Sequence, residues 1–187
     1  MAHSVGRYGL RIFHNLIPRT YPCEPLNPVA FDPENPDADR YPNNPIIPAI
    51  FTNFLGYKAG RNGAIAERVG AVEFHDFVTV DNILAGIEFS LTEDMLDGYA
   101  KVVNGVVIGK SENTESKVDS ASPHGIIGPR TEGFTIEGTK FFNYNFNSAA
   151  ALGDCSHCFH PAATDSGSRT YTVENLEFTD VTRKIRY

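Results

Sequence analysis

Residues 153–161, GDCSHCFHP, place Cys155, His157, Cys158 and His160 within six positions, and these residue types at this spacing suggest chemistry most directly. Thiolate and imidazole groups so arranged could hold zinc, run thiol–disulfide exchange, or act as covalent staples in an oxidising compartment. Structural zinc sites usually draw one ligand pair from each of two separated segments, whereas all four ligands here would come from one. A redox pair needs its first cysteine at a helix start within an α/β pattern, which this chain lacks. The remaining cysteine, Cys23, makes the count odd. Cys23, Cys155 and Cys158 are therefore disulfide candidates, with one thiol free or paired outside the chain. No metal or other cofactor is expected.

A second group lies in VEFHDFVTVDN, where His75, Asp76 and Asp81 stand close to Glu73 and Glu88. Carboxylates and an imidazole on the outer face of a strand could work as acid and base along a polysaccharide groove. The plainer reading is a row of solvated, outward-facing strand residues. FDPENPDADR offers Asp32, Glu34, Asp37 and Asp39 as hard oxygen ligands, without the spacing or glycine of an EF-hand loop. The chain has no phosphate-binding glycine loop, no G-x-S-x-G elbow, no H-E-x-x-H and no N-x-[ST] sequon. Any glycosylation would be O-linked.

The elements that must position these residues are short strands. From residue 71 onward, β-branched and aromatic runs alternate with Asn and Gly, and VTVDN (78–82), AKVVN (100–104), FTIEG (134–138) and YTVEN (171–175) can be laid over one another. The offsets between their last residues are 22, 34 and 37. One coil of a parallel β-helix takes roughly 20–25 residues, and longer coils carry loops. KSENTESKVDSASPHG (110–125) and GDCSHCFHPAATDSGSR (153–169) are those loops. Alternate apolar residues should point into the cylinder, while Asn and Gly take the corners, where left-handed backbone is needed. The best helical stretch, SLTEDMLDGYAKV (90–102), amounts to a short turn between coils. The fold expected is all-β, a right-handed parallel β-helix with loop insertions. A β-sandwich is the rival.

Nine of the twelve prolines fall within residues 18–48, which excludes helix or central strand there and predicts a Pro-rich insertion, with partner binding as its functional reading. With 187 residues, 41% of them hydrophobic, the chain suits a single β-helix segment over 1–187. Its net charge of -7 and scattered cations argue against nucleic acid as a partner. No apolar run reaches the length of a membrane span, and MAHSVGRYGLRIFHN lacks a signal-peptide core.

RYGLRIFHNLIPRTYPC near the start, the coils from GAVEFHDFVTVDNILAGIEF onward, and ALGDCSHC followed by YTVENLEFTDVTRKIRY together resemble the β-helix region of the fibrocystin and fibrocystin-L family. The most specific elements are Tyr8 to Phe13 and Cys155 to Cys158. The resemblance implies an extracellular β-helix with disulfides, part of a longer glycoprotein of cilia or cell surfaces that serves adhesion, matrix or coat architecture. Its partners would be other copies or other segments of the same protein, by solenoid stacking, and glycans. A related branch, the cell-surface hyaluronidases, is similar in architecture and degrades hyaluronan, and no catalytic residue is carried over from it to this sequence.

Overall fold

The computed structural model describes residues 1–20, 46–90, 100–112, 124–129, 133–146, 149–154 and 171–186. The strands follow one another in coils. The first coil holds β1 (Ala2–His3) and β2 (Tyr8–Leu16), and the second holds β3 (Ala49–Thr52), β4 (Leu55–Tyr57) and β5 (Asn62–Val69). Next come β6 (Val72–His75), β7 (Val78–Val80) and β8 (Ala85–Phe89), then β9 (Ala100–Val103), β10 (Val106–Ile108) and β11 (His124–Gly128). The fifth coil is β12 (Phe134–Glu137), β13 (Lys140–Tyr144) and β14 (Ala150–Asp154), and the sixth is β15 (Tyr171–Glu174), β16 (Glu177–Val181) and β17 (Ile185–Arg186).

Every third strand pairs in parallel, which builds three sheets: sheet A (β1-β4-β7-β10-β13-β16), sheet B (β2-β5-β8-β11-β14-β17) and sheet C (β3-β6-β9-β12-β15). This is the expected right-handed parallel β-helix. Its interior is an aromatic spine. Phe74 stacks on Phe77 with ring centroids 4.4 Å apart, and further ring contacts run Phe51–Phe74–Phe89–Phe134–Tyr171, from the second coil to the sixth with two rings from the third and none from the fourth. All three middle rings are fully buried. Burying one phenylalanine contributes about 1.5–3 kcal/mol, so coil-to-coil stacking is stabilised by its side chains as well as its ladders.

The corners explain the recurrent Asn, Asp and Gly. Between sheets C and A, one column in register runs Asn53, Asp76, Asn104, Gly138, Asn175, all with φ between 52° and 59°. Between sheets A and B, a second column holds Lys58, Asp81, Asn143 and Asp180, again with positive φ. Asn and Asp tolerate this conformation better than other residues with a Cβ, and Gly tolerates it best. A Cβ on Gly138 would collide with Asn104 Oδ1.

The expected repeat register is right for AKVVN, FTIEG and YTVEN, whose strands β9, β12 and β15 are direct neighbours. For VTVDN it is wrong. The partner of AKVVN is VEFHD, through Glu73–Lys101, Phe74–Val102 and His75–Val103, while VTV belongs to sheet A. The period-2 pattern of VTVDN fits either sheet, and a slip of one element is invisible to alternation alone. The bare coil is the 23-residue step from Asn53 to Asp76, and the 28-residue step from Asp76 to Asn104 contains residues 91–99. Those nine residues of the helical candidate lie outside the described residues, and its end, Ala100–Val103, is strand. At the Pro-rich stretch, Arg19 and Ile46 form an antiparallel bridge, and residues 21–45 lie outside the described residues.

Candidate functional site

The corners separate the acid–base candidates. His75 ends β6 on the outer side of sheet C, opposite in pleat to buried Phe74, and its Nε2 lies 2.6 Å from Glu73 Oε2. Asp76 follows at the C–A corner, exposed, with φ 55°. Asp81 stands at the A–B corner and is 2% exposed, accepting hydrogen bonds from the Ser111 backbone N–H at 2.7 Å and hydroxyl at 2.6 Å. It was expected on a polar outer face, yet it staples its corner to the following coil. Three residues within one stretch of sequence thus occupy a strand and two different corners.

Cys23, Cys155 and Cys158 lie outside the described residues, as do Asp32, Glu34, Asp37 and Asp39. Among the described residues, no group of three or more His, Cys, Asp or Glu side chains could hold a metal ion, and no helix is long and apolar enough to cross a membrane.

Sheet B carries polar groupings that sequence reasoning did not single out. On β2 the Arg11 guanidinium lies 5.1 Å from the Tyr8 ring centre and 4.2 Å from that of Phe13, and its Nη2 donates to Glu67 Oε2 at 2.8 Å. The hydrogen bond Arg11 donates to Glu67 raises the Arg11 pKa above its ordinary value, ahead of the opposing effect of burial. Arg61 reaches the same Tyr8 ring at 5.8 Å. The clue was available in RYGLRIF, where Tyr8, Arg11 and Phe13 share one strand. In the next coils, Asn62 donates from Nδ2 to Glu88 Oε2 at 2.7 Å with both residues fully buried. His124 is largely buried with Nδ1 lacking a hydrogen-bond partner, and burial, then Arg186, lowers its pKa from 6.5 to about 4.

Sheet A is unusual in which way its residues face. Gly56, Thr79, Val107, Phe141 and Phe178 form one column in register. This column faces inward, since Cβ atoms placed on Gly63, Gly86 and Gly125 of sheet B would meet Thr79, Val107 and Phe141. The residues on either side of it therefore face outward. They include Leu55, Tyr57, Val78, Val80, Val106, Ile108 and Phe142, all half-buried and none packed against the core, and beyond them the exposed Lys140, Glu177 and Thr179. Val78 and Val80 were expected to point into the cylinder; Thr79 does so instead.

This architecture and these faces define an extended parallel β-helix module. In sequence the chain is similar to fibrocystin-L of Mus musculus, 28% identical over 161 residues, and to fibrocystin-L of Homo sapiens, 27% identical over 161 residues. Each match covers 81% of this chain and 3% of the relative, so the chain corresponds to a small part of the proteins it resembles. The matches support a fibrocystin-like assignment. No family model matches the chain, and no solved structure matches it.

Proposed function

We propose that the chain is a non-enzymatic structural or adhesive module of an extracellular protein of the cell surface, cilium or matrix, associating with further coils or copies by solenoid stacking. One observation carries this reading. In the sixth coil, Val173 and Ile185 continue the inward columns of Ile136 and Leu152, yet they are 47% and 50% exposed. Beside them Leu176, Phe178 and Val181 line a cleft of about 600 Å³ together with Asn145, Asp180, Thr182 and Lys184. Among the described residues no strand pairs with the outer edges of β15, β16 and β17, and a further coil laid upon them would cover apolar interior and strand edge together. Cys23, Cys155 and Cys158 are the disulfide candidates of such a module, and reduction should lower its stability by roughly 2–4 kcal/mol per bridge.

The separation of His75, Asp76 and Asp81 supports the non-enzymatic side of the proposal, because acid–base work on a glycosidic bond needs two carboxyl groups within about 10 Å facing one groove. The test is incubation with hyaluronan and calcium, following polymer length on a gel. Unchanged length at high protein concentration is expected, and shortening overturns the reading in favour of an enzyme. A second reading, glycan binding without cleavage, is favoured by the Tyr8–Arg11–Phe13–Arg61 cluster, which offers aromatic faces and guanidinium donors on β2 and beside the start of the neighbouring β5. Retention of hyaluronan by the immobilised chain, lost in Arg11→Ala, would establish it.

A further inference from the structure

The outer face of sheet A is a flat apolar strip two side chains wide, and we propose that it pairs with the same strip of a second copy lying alongside, with the two solenoids parallel. Leu55 and Tyr57, Val78 and Val80, and Val106 and Ile108 form three successive apolar rows, and Phe142 continues the strip in the next coil. Registers within the strip run without a bulge, and four of its seven residues are β-branched, so the surface is rigid before anything binds. The neighbouring outer face on sheet C has Glu73, Lys101 and Glu137 in the corresponding rows. A sheet whose two faces are both apolar normally has both covered.

The order of residues on the strip selects the occupant. A twofold axis parallel to the solenoid places the left column of one copy on the right column of the other, coil for coil. Leu55 then meets Tyr57, Val78 meets Val80, and Val106 meets Ile108, so apolar groups face apolar groups in three consecutive coils. In the next coil Lys140, held 3.1 Å from Glu177, meets the face of Phe142, and Glu177 meets Thr179. Within the strip no like charges face one another, and at the corners exposed Asp76 meets Asp81, which is 2% exposed and held by Ser111. Antiparallel solenoids crossing at the fourth coil would instead press Leu55 on Glu177 and Val78 on Lys140, and crossing at the third coil they would match the apolar rows but set exposed Asp76 against Asp76. The parallel twofold also brings the A–B corner of each copy to the C–A corner of the other, so that Lys58 reaches exposed Asp76 one coil away, twice by symmetry.

Strength follows from size. Four coils spaced about 4.8 Å apart and two side chains across give on the order of 250 Å², against about 800 Å² per partner in a standard interface. The pair is therefore weak and reversible, with a Kd on the order of 0.1 mM, and becomes firm only where many copies are held side by side on one surface.

The experiment is sedimentation equilibrium and small-angle X-ray scattering on the full chain from about 10 µM to 1 mM, well either side of that Kd. A reversible dimer whose maximum dimension stays close to the monomer's is expected. Val80→Lys should weaken it at least tenfold with unchanged thermal unfolding, and Asp76→Lys should weaken it severalfold until Lys58→Asp in the same chain restores it. A chain that is monomeric at 1 mM overturns the proposal. So does a dimer of about doubled length, which would leave end-on stacking standing, or a dimer indifferent to Val80→Lys.

Discussion

Sheets C and A are built from nearly the same words and use them in opposite senses. FTI in β12 points Phe134 and Ile136 into the cylinder and Thr135 outward. VTV in β7 points Thr79 inward and both valines outward. The difference lies in what stands across the cylinder. Sheet C faces the aromatic spine and needs volume. Sheet A faces Gly63, Gly86 and Gly125, where the two backbones come so close that a Cβ on Gly86 would sit 2.5 Å from Thr79 Oγ1 and 2.7 Å from Val107 Cγ1. In the third and fourth coils that gap accepts only the small inward side chains of Thr79 and Val107, while Phe141 and Phe178 fill the same column further on, and Val78, Val80, Val106 and Ile108 are left for the outside. Alternation alone cannot reveal which face is the core; the opposing sheet decides it.

Breaking the spine tests the sheet C half of this comparison, and the expected effect is the largest. Phe74 is fully buried and contacts the rings of Phe51, Phe77 and Phe89, so Phe74→Ala should cost about 3–5 kcal/mol in chemical denaturation. A loss below 1 kcal/mol would mean that the spine does not hold the coils together.

The next test concerns sheet B, which lies between the two. His124 has a folded pKa of about 4 against 6.5 for the free side chain, so the unfolded chain takes up its proton first as pH falls. Stability should therefore be full above pH 6.5 and decline until pH reaches about 4, by roughly 2 kcal/mol once partial exposure is allowed for. His124→Gln should flatten this part of the pH profile of urea unfolding. A profile unchanged by the substitution would place the titrating group elsewhere.

Smaller still is Thr79→Val. The Thr79 hydroxyl is fully buried without a hydrogen-bond partner, and valine keeps its shape while removing the unpaired group. The substitution should stabilise the chain by about 1 kcal/mol, seen as a higher denaturation midpoint at unchanged slope. Destabilisation would show that the hydroxyl is satisfied in solution and that the inner side of sheet A is polar by design.

The fold was legible because its signals are local and repeated. Asn104, Gly138 and Asn175 mark one corner column, and the strands before them share an alternation that only stacking explains. The register of the earlier coils was not legible. Asp76 does the work of an Asn at the same corner, and VTVDN mimics the repeat from the neighbouring sheet. Of the candidate site, the placement of His75 on an outer strand face followed from the period of two. The withdrawal of Asp81 into its corner did not, because it depends on Ser111, thirty residues away in the chain. The apolar strip was missed for a related reason: it becomes visible only when the next coil is laid beside the first, as do the Glu67 and Arg61 partners of the cluster that RYGLRIF itself announces.

Val80→Lys is the smallest effect on the fold and the sharpest test of the comparison. If Val80 faced the core as its counterparts in sheet C do, burying an ammonium there would unfold the chain. On the outer face, a half-buried valine flanked by Tyr57 and Ile108 of adjacent coils gives way to lysine with a change within about 0.5 kcal/mol, since the lysine stem can lie along the same ladder with its charge in water. Ile136→Lys, at an inward position of sheet C, supplies the contrast and should abolish cooperative unfolding. Equal damage from the two substitutions would mean that sheet A buries its outer face as thoroughly as its inner one within a single chain, and the strip would then be part of the core.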